Sequence, residues 1–234
     1  AKFNGRYDDP AGLSMPKDLR FRTVYCGTRK AVALGEIIDG KGLRPSLQTI
    51  VELPAVDPDR PVDPSSLKFY ISEDWRSARW LETARLNHAL RFANVDAPET
   101  PQILGSVPRL AHIARELQEQ GKIHRFDQSA ITSQHRELTQ AIARYVYELV
   151  DDRGHPLYAG LHYSSGLNHD WECWAVFDKR IQHESGSPGI PEPISPDDPE
   201  LREVARVFRL PIEIYSGKVI CPWCKDDDCD GDCI

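Results

Sequence analysis

The apolar pattern of this chain predicts an α+β fold, on three observations. Short β-branched and aromatic runs read as strands, and longer stretches with apolar residues three and four apart read as helices. The two kinds interleave without the regular strand–helix period of a doubly wound sheet. At 234 residues, with 40% hydrophobic and 28% charged residues, the chain has material for one core-bearing domain and an appendage.

Leu19 to Cys26 reads as the first strand. Thr28 then serves as N-cap of a helix running through Ile38. Pro45 to Ser66 carries five prolines and reads as a surface excursion, broken by the short apolar run from Ile50 to Leu53. Leu67 to Ile71 is the next strand, and Trp75 to Leu90 is a helix by composition. Glu73 and Asp74 suit its N-terminal end, where the helix dipole favours acids. Val107 to Gln120 is a helix with Leu110, Ile113, Ala114 and Leu117 on one face. Ser133 caps a helix from Gln134 to Val150, striped by Leu138, Ile142, Tyr145 and Leu149. Leu157 to Tyr163 and Cys173 to Asp178 are strands joined by a polar loop. Ser185 to Pro199 is a loop rich in glycine and proline. Asp198-Pro199-Glu200 starts a helix that buries Leu201, Val204, Ala205 and Phe208, and Leu210 to Tyr215 is a final strand.

The formal charge of −7 excludes a nucleic-acid binder that relies on a basic face. No apolar run reaches the ~18 residues of a membrane helix, and the first residues lack a signal-peptide core, so no membrane partner is expected and the cytoplasm is the expected compartment. Self-association is left open. Cys26 and Cys173 lie in strand-like runs and read as buried thiols. Cys221, Cys224, Cys229 and Cys233 crowd the last fourteen residues. Four thiolates at these gaps would satisfy tetrahedral Zn(II) as a closed structural site, while the alternative is a reduced, frayed tail. The acids around them oppose RNA binding, and no thioredoxin-like frame precedes the Cys-x-x-Cys pair. The chain therefore divides into residues 1–215 and a cysteine-rich acidic tail, 216–234.

Three polar segments stand out. Glu36 sits in Ala31-Val32-Ala33-Leu34-Gly35-Glu36-Ile37-Ile38. It reads either as an ordinary glutamate near a helix end or as a carboxylate with apolar walls, suited to a developing positive charge. Arg6, between Gly5 and Tyr7, is an exposed arginine or a fork matched to a pyrophosphate. Ser164-Ser165 ends an apolar strand and is either a plain turn or a presented hydroxyl pair. His169, alone in its loop, reads as solvent-facing.

Together these segments resemble the RES family of NAD-degrading bacterial toxins. Gly5-Arg6-Tyr7 looks like the glycine-arginine-aromatic opening of that domain. Val24-Tyr25-Cys26-Gly27 followed by Glu36 resembles its tyrosine strand and glutamate helix. Gly160-Leu161-His162-Tyr163-Ser164-Ser165 followed by Cys173 to Asp178 resembles its serine segment and next strand. Gly166 stands where many relatives carry arginine.

The resemblance, covering about residues 3–215, implies an ADP-ribosyltransferase-like split β-sheet core with flanking helices. It implies cleavage of the nicotinamide–ribose bond of NAD by a glycohydrolase or phosphorylase. An ADP-ribosyltransferase acting on a protein, or a non-catalytic RES-like binding module, is the alternative. Arg6, Glu36 and Ser165 would be the catalytic residues, and Arg6, Tyr7, Tyr25 and Ser165 would bind NAD. An Xre-type antitoxin protein is the partner that the family implies.

Overall fold

The computed structural model describes residues 5–39, 70–181, 190–208, 210–215 and 218–220. The proline-rich excursion, most of the strand expected from Leu67, part of the loop from Ser185 and the four tail cysteines lie outside the described residues. In chain order the strands are β1 (Thr23–Gly27), β2 (Trp80–Leu81), β3 (Phe92–Asn94), β4 (Gly160–Ser164), β5 (Glu172–Phe177), β6 (Glu192–Pro193), β7 (Ile212–Tyr215) and β8 (Lys218–Ile220). The helices are α1 (Lys30–Asp39), α2 (Glu73–Ser77), α3 (Thr100–Gly105), α4 (Pro108–Glu119), α5 (Gln128–Ile131), α6 (Arg136–Glu148), α7 (Asp178–Ile181) and α8 (Pro199–Phe208). The fold is α+β. Among the described residues no helix is long and apolar enough to cross a membrane.

The chain forms two compact units. One comprises Ala1–Thr28 with Ala84–Ser187, the other Arg29–Thr83 with Pro188–Ile234.

The first unit is built on a four-stranded mixed sheet in the order β1-β5-β4-β3. β5 runs antiparallel to both β1 and β4, while β3 runs parallel to β4. Gly160 opens β4 where a Cβ would fall 2.2 Å from the Ala175 carbonyl oxygen, so any side chain there would push the hairpin partner away. The amphipathic helix α6 packs on β4 and buries Leu138, Ala141, Ile142 and Val146. Phe21, Tyr147 and Phe177 close that core: the Phe21 and Tyr147 rings stack with centroids 4.5 Å apart, and Phe177 meets Phe21 edge-on at 4.7 Å. α4 begins at Pro108, whose missing N–H costs nothing in a first turn, and buries Leu110, Ala114 and Leu117.

In the second unit α1 packs against α8. Asp198 caps α8 by accepting from the Glu200 and Leu201 amides. Glu200 then accepts from the Ala31 amide at 2.6 Å, satisfying a first-turn donor of α1 from outside that helix. The cap expected from Thr28 is thus displaced, since α1 starts only at Lys30. Arg76 is buried, and donates to the Ile194 and Glu213 carbonyls. Beside it, Ile71 bridges to Ile212 in parallel.

The helix expected from Trp75 to Leu90 stops at Ser77. Trp75, Trp80, Leu81, Leu86 and Leu90 do not share a helical face, and Trp80–Leu81 pairs with Glu192–Pro193 instead. Leu19 and Arg20 likewise leave the expected first strand, because their amides turn back to the Pro16 carbonyl. α6 begins at Arg136, with the Ser133 hydroxyl accepting from the His135 amide rather than capping the helix itself.

Candidate functional site

The N-terminal loop of the first unit is held by its own acids. Asp9 is almost fully buried and accepts from the amides of Ala11 at 3.0 Å and Phe21 at 3.2 Å. Arg144 of α6 completes its shell at 3.2 Å. Asp8 accepts from the Gly5 amide at 2.6 Å and from the Tyr25 hydroxyl at 3.2 Å. That hydroxyl in turn accepts from the Tyr7 amide at 2.8 Å. On the other side Gln140 of α6 donates to the Gly5 carbonyl at 3.0 Å. Gly5 itself leaves no room: a Cβ there would sit 2.2 Å from the Tyr25 hydroxyl oxygen.

Tyr25 has two characters. Its side chain is 40% exposed at the β1 edge, yet its hydroxyl is tucked among Gly5, Tyr7 and Asp8. Burial of that hydroxyl, then the Asp8 carboxylate, pushes the phenol far above its usual range, with the charge of Arg136 acting in the opposite direction. Tyr25 therefore stays protonated and keeps donating to Asp8.

This loop aims Arg6. Its guanidinium lies 5.8 Å from the centre of the Tyr163 ring, within cation–π range. The Tyr7 ring meets the same Tyr163 edge-on at 5.1 Å and is wholly buried. Tyr7 is thus a core residue whose backbone carries Arg6, and Thr23 fixes it further by donating to the Tyr7 carbonyl at 2.8 Å.

Tyr163 leads directly into Ser164 and Ser165 at the end of β4. The Ser164 amide donates to Asp96, which also accepts from Gln128 at 3.1 Å. Ser165 is 1% exposed. Its hydroxyl accepts from the Leu167 amide at 3.1 Å and its own amide donates to the Trp171 carbonyl at 2.8 Å, so it closes the turn toward β5. His162, one strand position before Tyr163, sits beside Trp174 with ring centres 5.0 Å apart.

Arg6, Tyr7 and Tyr25 are therefore joined in one hydrogen-bonded and aromatic cluster. Ser165 lies two residues beyond the Tyr163 ring that both Arg6 and Tyr7 touch. Glu36 belongs to the second unit. It is half-buried on α1, with Ala31, Val32, Leu34, Gly35 and Ile38 on the buried face and Ile37 exposed. Its carboxylate flanks the apolar face rather than interrupting it, which lowers the desolvation cost that the sequence alone suggested.

Gln140 was not legible as a partner of this loop, because it lies 135 positions from Gly5. The one available signal was the double acid Asp8-Asp9 two positions after Arg6. His169 is exposed, as a lone loop histidine usually is. Cys173 is buried and Cys26 half-buried, both as free thiols, and burial pushes the Cys26 thiol up, away from reactivity. Among the described residues no cluster of His, Cys, Asp or Glu is placed to hold a metal ion. A separate apolar cleft of about 180 Å³ lies among Phe92, Ile103, Ile142, Tyr145 and Leu161, and none of the candidate residues lines it. Compared with known proteins, the chain matches no family model, no curated protein and no solved structure.

Proposed function

We propose that this protein degrades NAD by breaking the bond between nicotinamide and its ribose, on an ADP-ribosyltransferase-like core. The observation that carries the reading is the internally bonded loop from Gly5 to Asp9. It spends two acids, a tyrosine hydroxyl and a glutamine on holding one arginine beside an aromatic ring. A fork held in place before binding loses little freedom on meeting a pyrophosphate.

In this reading Arg6 binds the pyrophosphate, and the exposed side of the Tyr25 ring packs against a flat ligand ring. Tyr7 supports Arg6 from the core. Ser165 shapes the turn that positions the ribose or pyrophosphate. Glu36 favours the oxocarbenium state, a role carried by sequence resemblance alone. The C1–N bond breaks with its electron pair leaving on the nicotinamide nitrogen. An oxygen of water or phosphate then bonds to C1 and loses its proton, giving ADP-ribose or its phosphate.

Incubating the purified protein with NAD, with and without phosphate, tests this. Free nicotinamide should appear together with ADP-ribose or its phosphorylated form. ADP-ribose found attached to protein would replace the reading with a transferase. An absence of nicotinamide release from folded protein would overturn catalysis altogether.

A further inference from the structure

One helical stripe of α6 faces the N-terminal loop. Arg144 takes Asp9 and Gln140, one turn earlier, takes the Gly5 carbonyl. One turn earlier again stands Arg136. Its Nη1 is buried without a hydrogen-bond acceptor among the described residues. Its place one turn before Gln140 turns it toward the same side of the helix, and its charge acts at the Tyr25 hydroxyl. Within the loop, Asp8 already uses one oxygen for the Gly5 amide and the other for Tyr25.

Arg136 carries two costs in this position. It is the first residue of a helix of 13, where the dipole disfavours a cation. It also keeps a buried N–H unmet, which is rare in folded proteins. An anion at the loop would relieve both costs. Local rules broken without structural gain mark functional positions.

We infer that Arg136 is a second anion-binding residue, which with Arg6 grips the phosphoryl groups of a nucleoside-diphosphate ligand at the Gly5–Asp9 loop. The inference rests on the NAD reading for the ligand class, but not for the site. Two guanidinium groups, one beside Tyr163 and one on the α6 stripe that holds the loop, suit the two phosphates of a pyrophosphate better than one. Inorganic phosphate, as acceptor, is the other source of the same chemistry.

Calorimetric titration of ADP, adenosine and inorganic phosphate against wild type, Arg136→Met and Arg136→Lys tests the site directly. The wild type should bind ADP well above adenosine, and Arg136→Met should weaken ADP by tenfold or more, as expected for a charged hydrogen bond removed. Adenosine affinity should not change, and Arg136→Lys should fall between. A loss seen with phosphate rather than ADP assigns Arg136 to the acceptor and retains the site. The melting temperature of Arg136→Met should hold or rise, since a buried unmet donor has been removed. Equal ADP and phosphate binding in wild type and both variants would overturn the inference, as would a wild type that prefers neither over adenosine. Nicotinamide release is read separately: ADP binding through Arg136 without release leaves the site standing and removes the catalytic reading.

Discussion

Gly5 shows how much can hang on an absent side chain. Any Cβ there meets the Tyr25 hydroxyl, which holds both the Tyr7 amide and Asp8. Gly5→Ala should therefore destabilise the fold by about 1–3 kcal/mol, the usual cost of overpacking, and should loosen Arg6 as well. Thermal melting reads the first effect, and ligand affinity the second. Arg6→Ala should weaken NAD binding more than Arg6→Lys, because lysine keeps the charge but loses the fork. Equal affinities in all three proteins would take Arg6 out of the site. Glu36→Gln should fold normally and lose on the order of 10²–10³ in turnover. Full activity in that variant would end the role given to the carboxylate, and leave Arg6 and Arg136 unaffected.

Among the elements, those with long amphipathic stripes were legible from sequence. α4, α6 and α8 sit close to where the 3.6-residue period puts them, with most of the expected residues buried, although Ile113, Tyr145 and Leu149 are only half-buried and Leu149 falls just past the end of α6. β3 was not legible, because three residues carry no period and its parallel pairing with β4 is decided far along the chain. The stretch after Trp75 was misread because helix-favouring composition there has no face to bury. The candidate site divides the same way: Arg6, Tyr25 and Ser165 were picked out by local motifs, while Gln140 became a partner of the Gly5 loop only through packing. The short helix α5 offers a test at this scale. Asp127 caps it by accepting from the Ala130 amide, and hydrogen bonds from Arg125 and then Ser129 hold its carboxyl down to about 2 from 3.8. Lowering the folded-state value means that the unfolded chain takes the proton first as pH falls. The contribution is complete above 3.8 and disappears as pH drops through about 2. Asp127→Ala should cost about 1 kcal/mol near neutrality, with the gap to wild type closing toward pH 2 in denaturant titrations.

At the scale of the molecule, the four tail cysteines test whether a metal takes part in the proposed chemistry. Removing residues 221–234 should abolish zinc in elemental analysis and leave NAD turnover largely intact. Joint loss of zinc and turnover from a folded protein would make the metal part of the chemistry. The strand order of the four-stranded sheet carries a different consequence, for the order of assembly. β4 and β5 are sequence neighbours and can zip as a hairpin, while β1 must wait for β5, pairing Thr23 with Phe177. Loop-closure entropy disfavours that late, long-range pairing until the hairpin stands. On the ribosome the strand made first is thus the last to be seated, and the Gly5–Asp9 loop is completed with it. Truncating Val176 on the hairpin should slow refolding, whereas disturbing Asp9 should chiefly speed unfolding, a split that stopped-flow chevrons resolve. The Gly5–Asp9 loop is completed only after the rest of that unit is built, so a partly made copy lacks the loop on which the proposed site rests.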